Sequence, residues 1–140
     1  MKRRIRGTRK HPHSCNRDHE KHRIVSTFME MLNTVKVYHW NTRSYAEHKA
    51  TDELYAKLNE HVDSFVEVML GKRGDRLPHL RGKVPVVTKD VADFKSCIFA
   101  YRHFLKGLGR CFSQDSDLMS IRDDILGDLN QFLYLMTFNK

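Results

Sequence analysis

From Ile24 onward apolar residues recur at intervals of three and four: Ile24, Phe28, Met31, Val35 and Tyr38 trace one stripe. That is the signature of an amphipathic helix, and it predicts a first helix over 24–41, ended by the polar break at Asn41, Thr42, Arg43 and Ser44. A second stripe, Tyr55, Leu58, Val62, Phe65, Val66 and Met69, predicts a helix over 45–70 with Gly71 as its C-terminal stop. The short break makes these two an antiparallel pair. The stretch GKRGDRLPHLRGKVPVV then interrupts the period with three glycines, Pro78 and Pro85, and reads as a long connection. Thr88 is placed as the N-cap of a third helix over 89–112, marked by Phe94, Ile98, Tyr101, Leu105, Leu108 and Phe112. After Ser116, the residues Leu118, Ile121, Ile125, Leu129, Phe132 and Met136 mark a fourth over 117–138. Only a few residues around Val84 to Val87 alternate with period two. The expected fold is all-α: a four-helix bundle in which a long crossover joins helix 2 to helix 3, the ferritin-like arrangement.

Charge divides the chain differently. Residues 1–23 carry nine Lys and Arg against Asp18 and Glu20, leaving 16 basic and 15 acidic residues beyond them, so the formal net charge of +8 is concentrated in the N-terminal segment. With Ile5 its one strongly apolar residue after Met1, that segment cannot offset its ordering entropy by burial. It is expected to be a flexible arm, followed by one bundle domain over 24–140. Lys2, Arg3, Arg4, Arg6, Arg9 and Lys10 suit a polyanion, whose counterions they would release without any defined structure; a solvated tail is the plainer reading. No apolar signal core follows the basic stretch, and no run of about 18 apolar residues occurs. A soluble, intracellular protein is expected. Cys97 and Cys111 lie about 21 Å apart on one predicted helix and cannot bridge to each other, so free thiols in a reducing compartment are the simplest account of the three cysteines.

Candidate chemistry gathers on the second helix. At 100° per residue, His48, Asp52, Asp63 and Glu67 fall on one polar edge beside the apolar stripe. Along the axis Asp52 and Asp63 are about 16 Å apart, and His48 and Glu67 about 28 Å, too far for one ion with ligand bonds near 2 Å. Either the edge is a solvated charged face, or a two-fold axis brings two half-sites together from two chains. His39, at the end of the first helix, would join the His48 half. Two imidazoles with three carboxylates suit Fe(II), Mn(II) or Zn(II).

Taken together, YHWN at 38–41, HKATD at 48–52 and DSFVE at 63–67 resemble the ferroxidase pattern of the Dps family, the mini-ferritins that protect DNA. GDLNQFLYLMTF near the C-terminus resembles that family's last helix. The resemblance implies that His39, His48 and Asp52 of one chain meet Asp63 and Glu67 of another. It further implies that Fe(II) is bound at a dimer interface and oxidised there by peroxide, in an oligomer that is at least a dimer and in that family a dodecameric cage. The sequence departs from the pattern in a His39–His48 interval about one helical turn shorter, and in a crossover rich in proline and basic residues where the family has a short helix. The segments HWNTRSYAEHKATDELYAKLNE and IRDDILGDLNQFLYL are also similar to a family of short uncharacterised proteins of large DNA viruses, which suggests a virion, or the host cytoplasm or nucleus.

Other candidates carry less. His11, His13, Cys15, His19 and His22 have ligand chemistry without a CxxC pair. His61, His79 and His103 stand singly. Asp123, Asp124 and Asp128 read as a solvated acidic face, Tyr101 and Tyr134 as core, and Trp40 as a buried boundary aromatic. No GxSxG, P-loop or GxGxxG is present. The expected function is a Dps-like iron-binding ferroxidase whose arm binds DNA without base specificity. The alternative is a non-enzymatic structural or nucleic-acid-packaging virion protein on the same bundle.

Overall fold

In a computed structural model, which describes residues 17–83 and 90–138, the elements are α1 (Arg17–Asn41), α2 (Tyr45–Arg73), α3 (Val91–Gly107), a single turn α4 (Gly109–Phe112) and α5 (Ser116–Leu135). No strand occurs among the described residues. Nor is any helix there long and apolar enough to cross a membrane. The apolar stripes meet in one core: Phe28 sets its edge against Phe65 at 5.4 Å between centroids, Phe65 against Phe112 at 6.1 Å, and Phe94 against Phe132 at 5.7 Å. Such edge-to-face contacts add directional preference to the burial of large rings.

The pairings fix the topology. α2 lies between α1 and α5, and α3 packs on α1 and α5, so α2 and α3 are diagonal neighbours. Cross-links run in opposite senses along each adjacent pair: Lys57 to Gln131 and Lys72 to Asp117 join α2 and α5, while Tyr38 stacks on Phe94 and Phe28 meets Phe104 between α1 and α3. All adjacent helices are therefore antiparallel, and α2 and α3 are parallel. The chain between Gly74 and Asp90 must return the length of the bundle, about 35 Å for the 23 residues between the levels of Glu47 and Leu70. Seventeen extended residues reach about 56 Å. The connection has the length to make that return.

Element ends differ from the periodic reading, for identifiable reasons. α1 begins seven residues earlier than Ile24, inside the segment expected to be arm. Its first turns are held by ions instead of an apolar stripe: Lys21, with a side chain only 2 % exposed, bonds Asp75 at 2.7 Å and Asp18 at 3.3 Å, and Arg23 forks onto Glu20. Periodicity could not register those residues. α2 runs past Gly71 to Gly74, whose φ of 64° is the left-handed conformation that glycine adopts freely and whose N–H donates to Leu70 O at 2.9 Å. α3 is capped by Asp90, whose Oδ1 accepts from the Asp93 N–H at 2.8 Å; Thr88 lies outside the described residues. The expected helix 89–112 is broken at Leu108. There Leu105 O accepts from Leu108 N at 3.1 Å and from Arg122 Nη1 at 3.2 Å, with low-propensity glycines on either side. α5 ends at Leu135, three residues before the expected boundary.

Several single-residue expectations are also corrected. Trp40 is 67 % exposed and Tyr134 62 % exposed, both on outer faces. Cys111 takes part in a disulfide, which overturns the expectation of three free thiols; Cys97 is the free cysteine among the described residues.

Candidate metal centre

The turn between α1 and α2 is built by side chains bonding to one another and to orphaned backbone groups. Ser44 caps α2 by accepting from the Glu47 N–H. Glu47, three residues on, is the acidic member of a capping box, yet its carboxylate turns to α1, where it accepts from Tyr38 Oη at 2.8 Å and Thr42 Oγ1 at 2.6 Å. Burial, reinforced by the Glu47 carboxylate, pushes the Tyr38 phenol well above its usual range.

His39 and His48 close the same turn reciprocally. His39 Nδ1 donates to His48 O at 2.9 Å and is shared with Thr51 Oγ1 at 3.2 Å, while His48 Nδ1 donates to His39 O at 3.0 Å. The two rings stack at 3.9 Å between centroids, 21° from parallel. A carbonyl oxygen only accepts, so both imidazoles carry a proton on Nδ1. In the neutral ring, Nε2 then keeps its lone pair. Nδ1–H bonded to a carbonyl is the arrangement that orients a histidine for ligation through the other nitrogen. Near-parallel rings, however, confine their lone pairs to near-parallel planes. One ion therefore does not lie in the plane of both rings unless the stack is disturbed.

Asp52, Asp63 and Glu67 are exposed and make no hydrogen bond or ion pair among the described residues. They stay on the outer edge of α2, separated along the axis as the helical repeat requires. The chain thus brings His39 and His48 together and leaves the three carboxylates apart. Among the described residues no three His, Cys, Asp or Glu side chains are grouped to hold a metal ion. The arm residues Lys2, Arg3, Arg4, Arg6, Arg9 and Lys10 lie outside the described residues, as do His11, His13 and Cys15. Residues 39–136, from the first of these histidines through the end of α5, match a family of unknown function, DUF5856. The chain belongs to that family. No curated protein and no solved structure matches this DUF5856 chain.

The sequence reading missed a second polar contact in this DUF5856 fold. His61 Nδ1 bonds Asp128 Oδ2 at 2.5 Å across the α2–α5 seam, and Asp128 is buried there instead of solvated; Asp123 and Asp124 are exposed as expected. A signal existed. Lys57, His61 and Lys72 form one basic stripe on α2, and Asp117, Asp128 and Gln131 a matching stripe on α5. Lys72 reaches both Asp117 at 2.8 Å and Asp115 at 3.2 Å. Between α1 and α3, Tyr101 Oη sits within hydrogen-bond distance of Thr34 Oγ1 at 3.1 Å and Glu30 Oε1 at 3.2 Å, and burial raises its pKa well above the usual range.

Proposed function

We propose that this chain is a Dps-like protein of ferritin-like architecture that takes up Fe(II) as its substrate at sites completed by a second copy, oxidises it there, and holds DNA through its basic arm. The topology supports the architecture: two antiparallel pairs, joined by a crossover running the length of the bundle, are the ferritin-like form of the four-helix bundle.

One observation carries the site. Asp52 and Asp63, and likewise His48 and Glu67, are centred on the same point of α2, between residues 57 and 58. A two-fold axis through that point lays α2 antiparallel on its copy. It sets Asp52 level with Asp63 of the second chain, and His48 level with its Glu67, twice over. Each site then receives the His39–His48 pair and three carboxylates, all three unneutralised among the described residues of one chain. Oxygen-rich sets of this kind favour the harder divalent ions, with Mn(II) and Zn(II) as competitors. Trp40, exposed on α1 beside this edge with Lys36 set 5.9 Å from its ring centroid, gives the second copy an apolar surface to cover.

The second reading is a non-enzymatic structural or nucleic-acid-packaging protein of a virion, on the same bundle. It is favoured by the histidine pair itself, since both Nδ1 atoms are already spent on locking α1 to α2, a role complete without metal. Anaerobic Fe(II) titration followed by peroxide, read beside the mass in solution, separates the two. Saturable binding and rapid oxidation in an oligomer, lost in Asp52→Ala and Glu67→Ala, support the iron reading. A monomer at all concentrations, or binding unchanged in those variants, overturns it in favour of the structural reading.

A further inference from the structure

The outer side of α3 carries Lys95, Phe99, Arg102 and Lys106 at spacings of four, three and four, which places them within about 60° of one another on the helix. Facing them, Asn130 and Tyr134 on α5 and Thr137 just beyond its end line the other wall of a cleft of about 410 Å³ that also holds Lys95, Phe99 and Arg102. Phe99 is 54 % exposed. Tyr134 is flanked by Phe138 in an edge contact at 5.2 Å, and Phe138 is as exposed as Tyr134. Two large aromatic side chains standing in water along one groove, with Phe138 exposed beside it, are costly unless something covers them.

Lys95 and Arg102 line this groove and Lys106 stands one turn further along α3; like Lys36, Arg43 and Lys49 elsewhere, they belong to the unpaired cations among the described residues. Lys21, Arg23, Lys57, Lys72 and Arg122 each pair with a carboxylate. Lys95, Arg102 and Lys106 pair with none among the described residues, and no acidic side chain lines the cleft. Asp123, on the same side of α5, lies about 16 Å along the helix from Tyr134 and is bonded by Arg122 at 2.8 Å. The Arg102 guanidinium lies 5.4 Å from the centroid of Phe99, its Nε shielded from water and without a hydrogen-bond partner.

We propose that this α3–α5 cleft binds an unpaired strand of nucleic acid, with bases stacking on Phe99 and Tyr134 and phosphates held by Lys95, Arg102 and Lys106. Alternating cations and exposed rings along a groove are how single strands are gripped without sequence readout. A duplex hides its base faces and cannot use the rings. A second copy is disfavoured because a two-fold contact sets the same unpaired cations against each other. The inference does not rest on the iron reading, since it uses a different face and none of the metal candidates.

The test is fluorescence anisotropy of the full chain with labelled oligo-dT and oligo-U of about 15 nucleotides. Excess unlabelled mixed-sequence duplex is present to occupy the basic arm. Phe99→Ala and Tyr134→Ala should each weaken binding by about 5- to 150-fold, the range of one lost base stack, with Tyr134→Phe close to wild type. Lys95→Gln and Arg102→Gln should each lower the slope of log affinity against log salt by about 0.7. The ratio of dT to U affinity tells DNA from RNA. Because the two rings are exposed, helical circular dichroism should be unchanged in both alanine variants. Affinity unaltered by both variants, complete displacement of the labelled strand by duplex, or capture of the chain by anionic vesicles with the same dependence on Phe99 overturns the proposal. So does a dimer that Phe99→Ala dissociates.

Discussion

Replacing His48 by alanine removes the Nδ1–H bond to His39 O, a carbonyl in the last turn of α1, and one ring of the stacked pair. A neutral hydrogen bond contributes about 0.5–1.5 kcal/mol, and a stacked ring pair about as much again. The expected loss is about 1–3 kcal/mol. His39→Ala takes away a buried ring, its bond to His48 O and its contact with Thr51 Oγ1. It should cost about 2–3 kcal/mol, because a cavity adds to the lost bonds. Each single substitution already destroys the stack, so the double variant should be more stable than additivity predicts by about 0.5–1.5 kcal/mol. Urea unfolding followed by helical circular dichroism reads all four corners of the cycle, with the slope checking that the denatured state is unchanged. Costs that add to within about 0.3 kcal/mol would refute the reciprocal lock.

The remaining predictions concern the core, the caps and the two ends of the pH scale. Phe65→Ala, at the centre of the edge-to-face aromatic chain, should lower stability by about 3–5 kcal/mol in the same urea assay. Gly74→Ala forces a side chain into φ of 64° and should cost about 1 kcal/mol. Burial holds the Tyr38 phenol above its ordinary pKa, so the unfolded chain ionises first: stability is intact below about pH 10 and falls as pH rises beyond it. Tyr38→Phe should flatten that alkaline fall in unfolding midpoints taken at successive pH values. The Lys72 ammonium holds the Asp117 carboxyl below its usual range, so its contribution is present above about pH 4 and disappears as pH falls through the lowered value. Asp117→Asn should therefore remove part of the acid sensitivity, and part of the alkaline fall as well, because the same carboxylate raises the Lys72 pKa.

How much of this was legible in the chain depends on what each position spends its side chain on. Stripes such as Ile24, Phe28, Met31, Val35 and Tyr38 were legible because burial alone selects them. The first turns of α1 were not, because Lys21 and Glu20 are buried as members of ion pairs, which leave no apolar period. Trp40 and Tyr134 were misplaced because a ring at a helical spacing looks the same whether it enters the core or stands beside it. His39 and His48 were recognised as chemically notable, but their partners are backbone carbonyls, one in the last turn of α1 and one near the start of α2, and no residue pattern encodes those. Periodicity placed Asp52, Asp63 and Glu67 correctly on one edge. A single chain leaves them apart, and bringing them to one place is the work assigned to a second copy in the proposed function.

Charge pairing divides the surface of the bundle into parts with different work to do. Along the α2–α5 seam Lys57 meets the amide of Gln131 and the carboxylate of Glu53 on its own helix, His61 meets Asp128 and Lys72 meets Asp117, and the contacts between the two helices hold the halves of the bundle in register. The crossover is tied down separately by Lys21 and Asp75. Uncompensated groups stand on two other faces: carboxylates with Lys49 on the outer edge of α2, and cations on the outer side of α3. A protein that needed its charges for stability alone would have brought these two sets together. Their separation by the width of the bundle leaves an acidic edge suited to a divalent cation and a basic, ring-lined cleft suited to a polyanion, each free to be filled without disturbing the other.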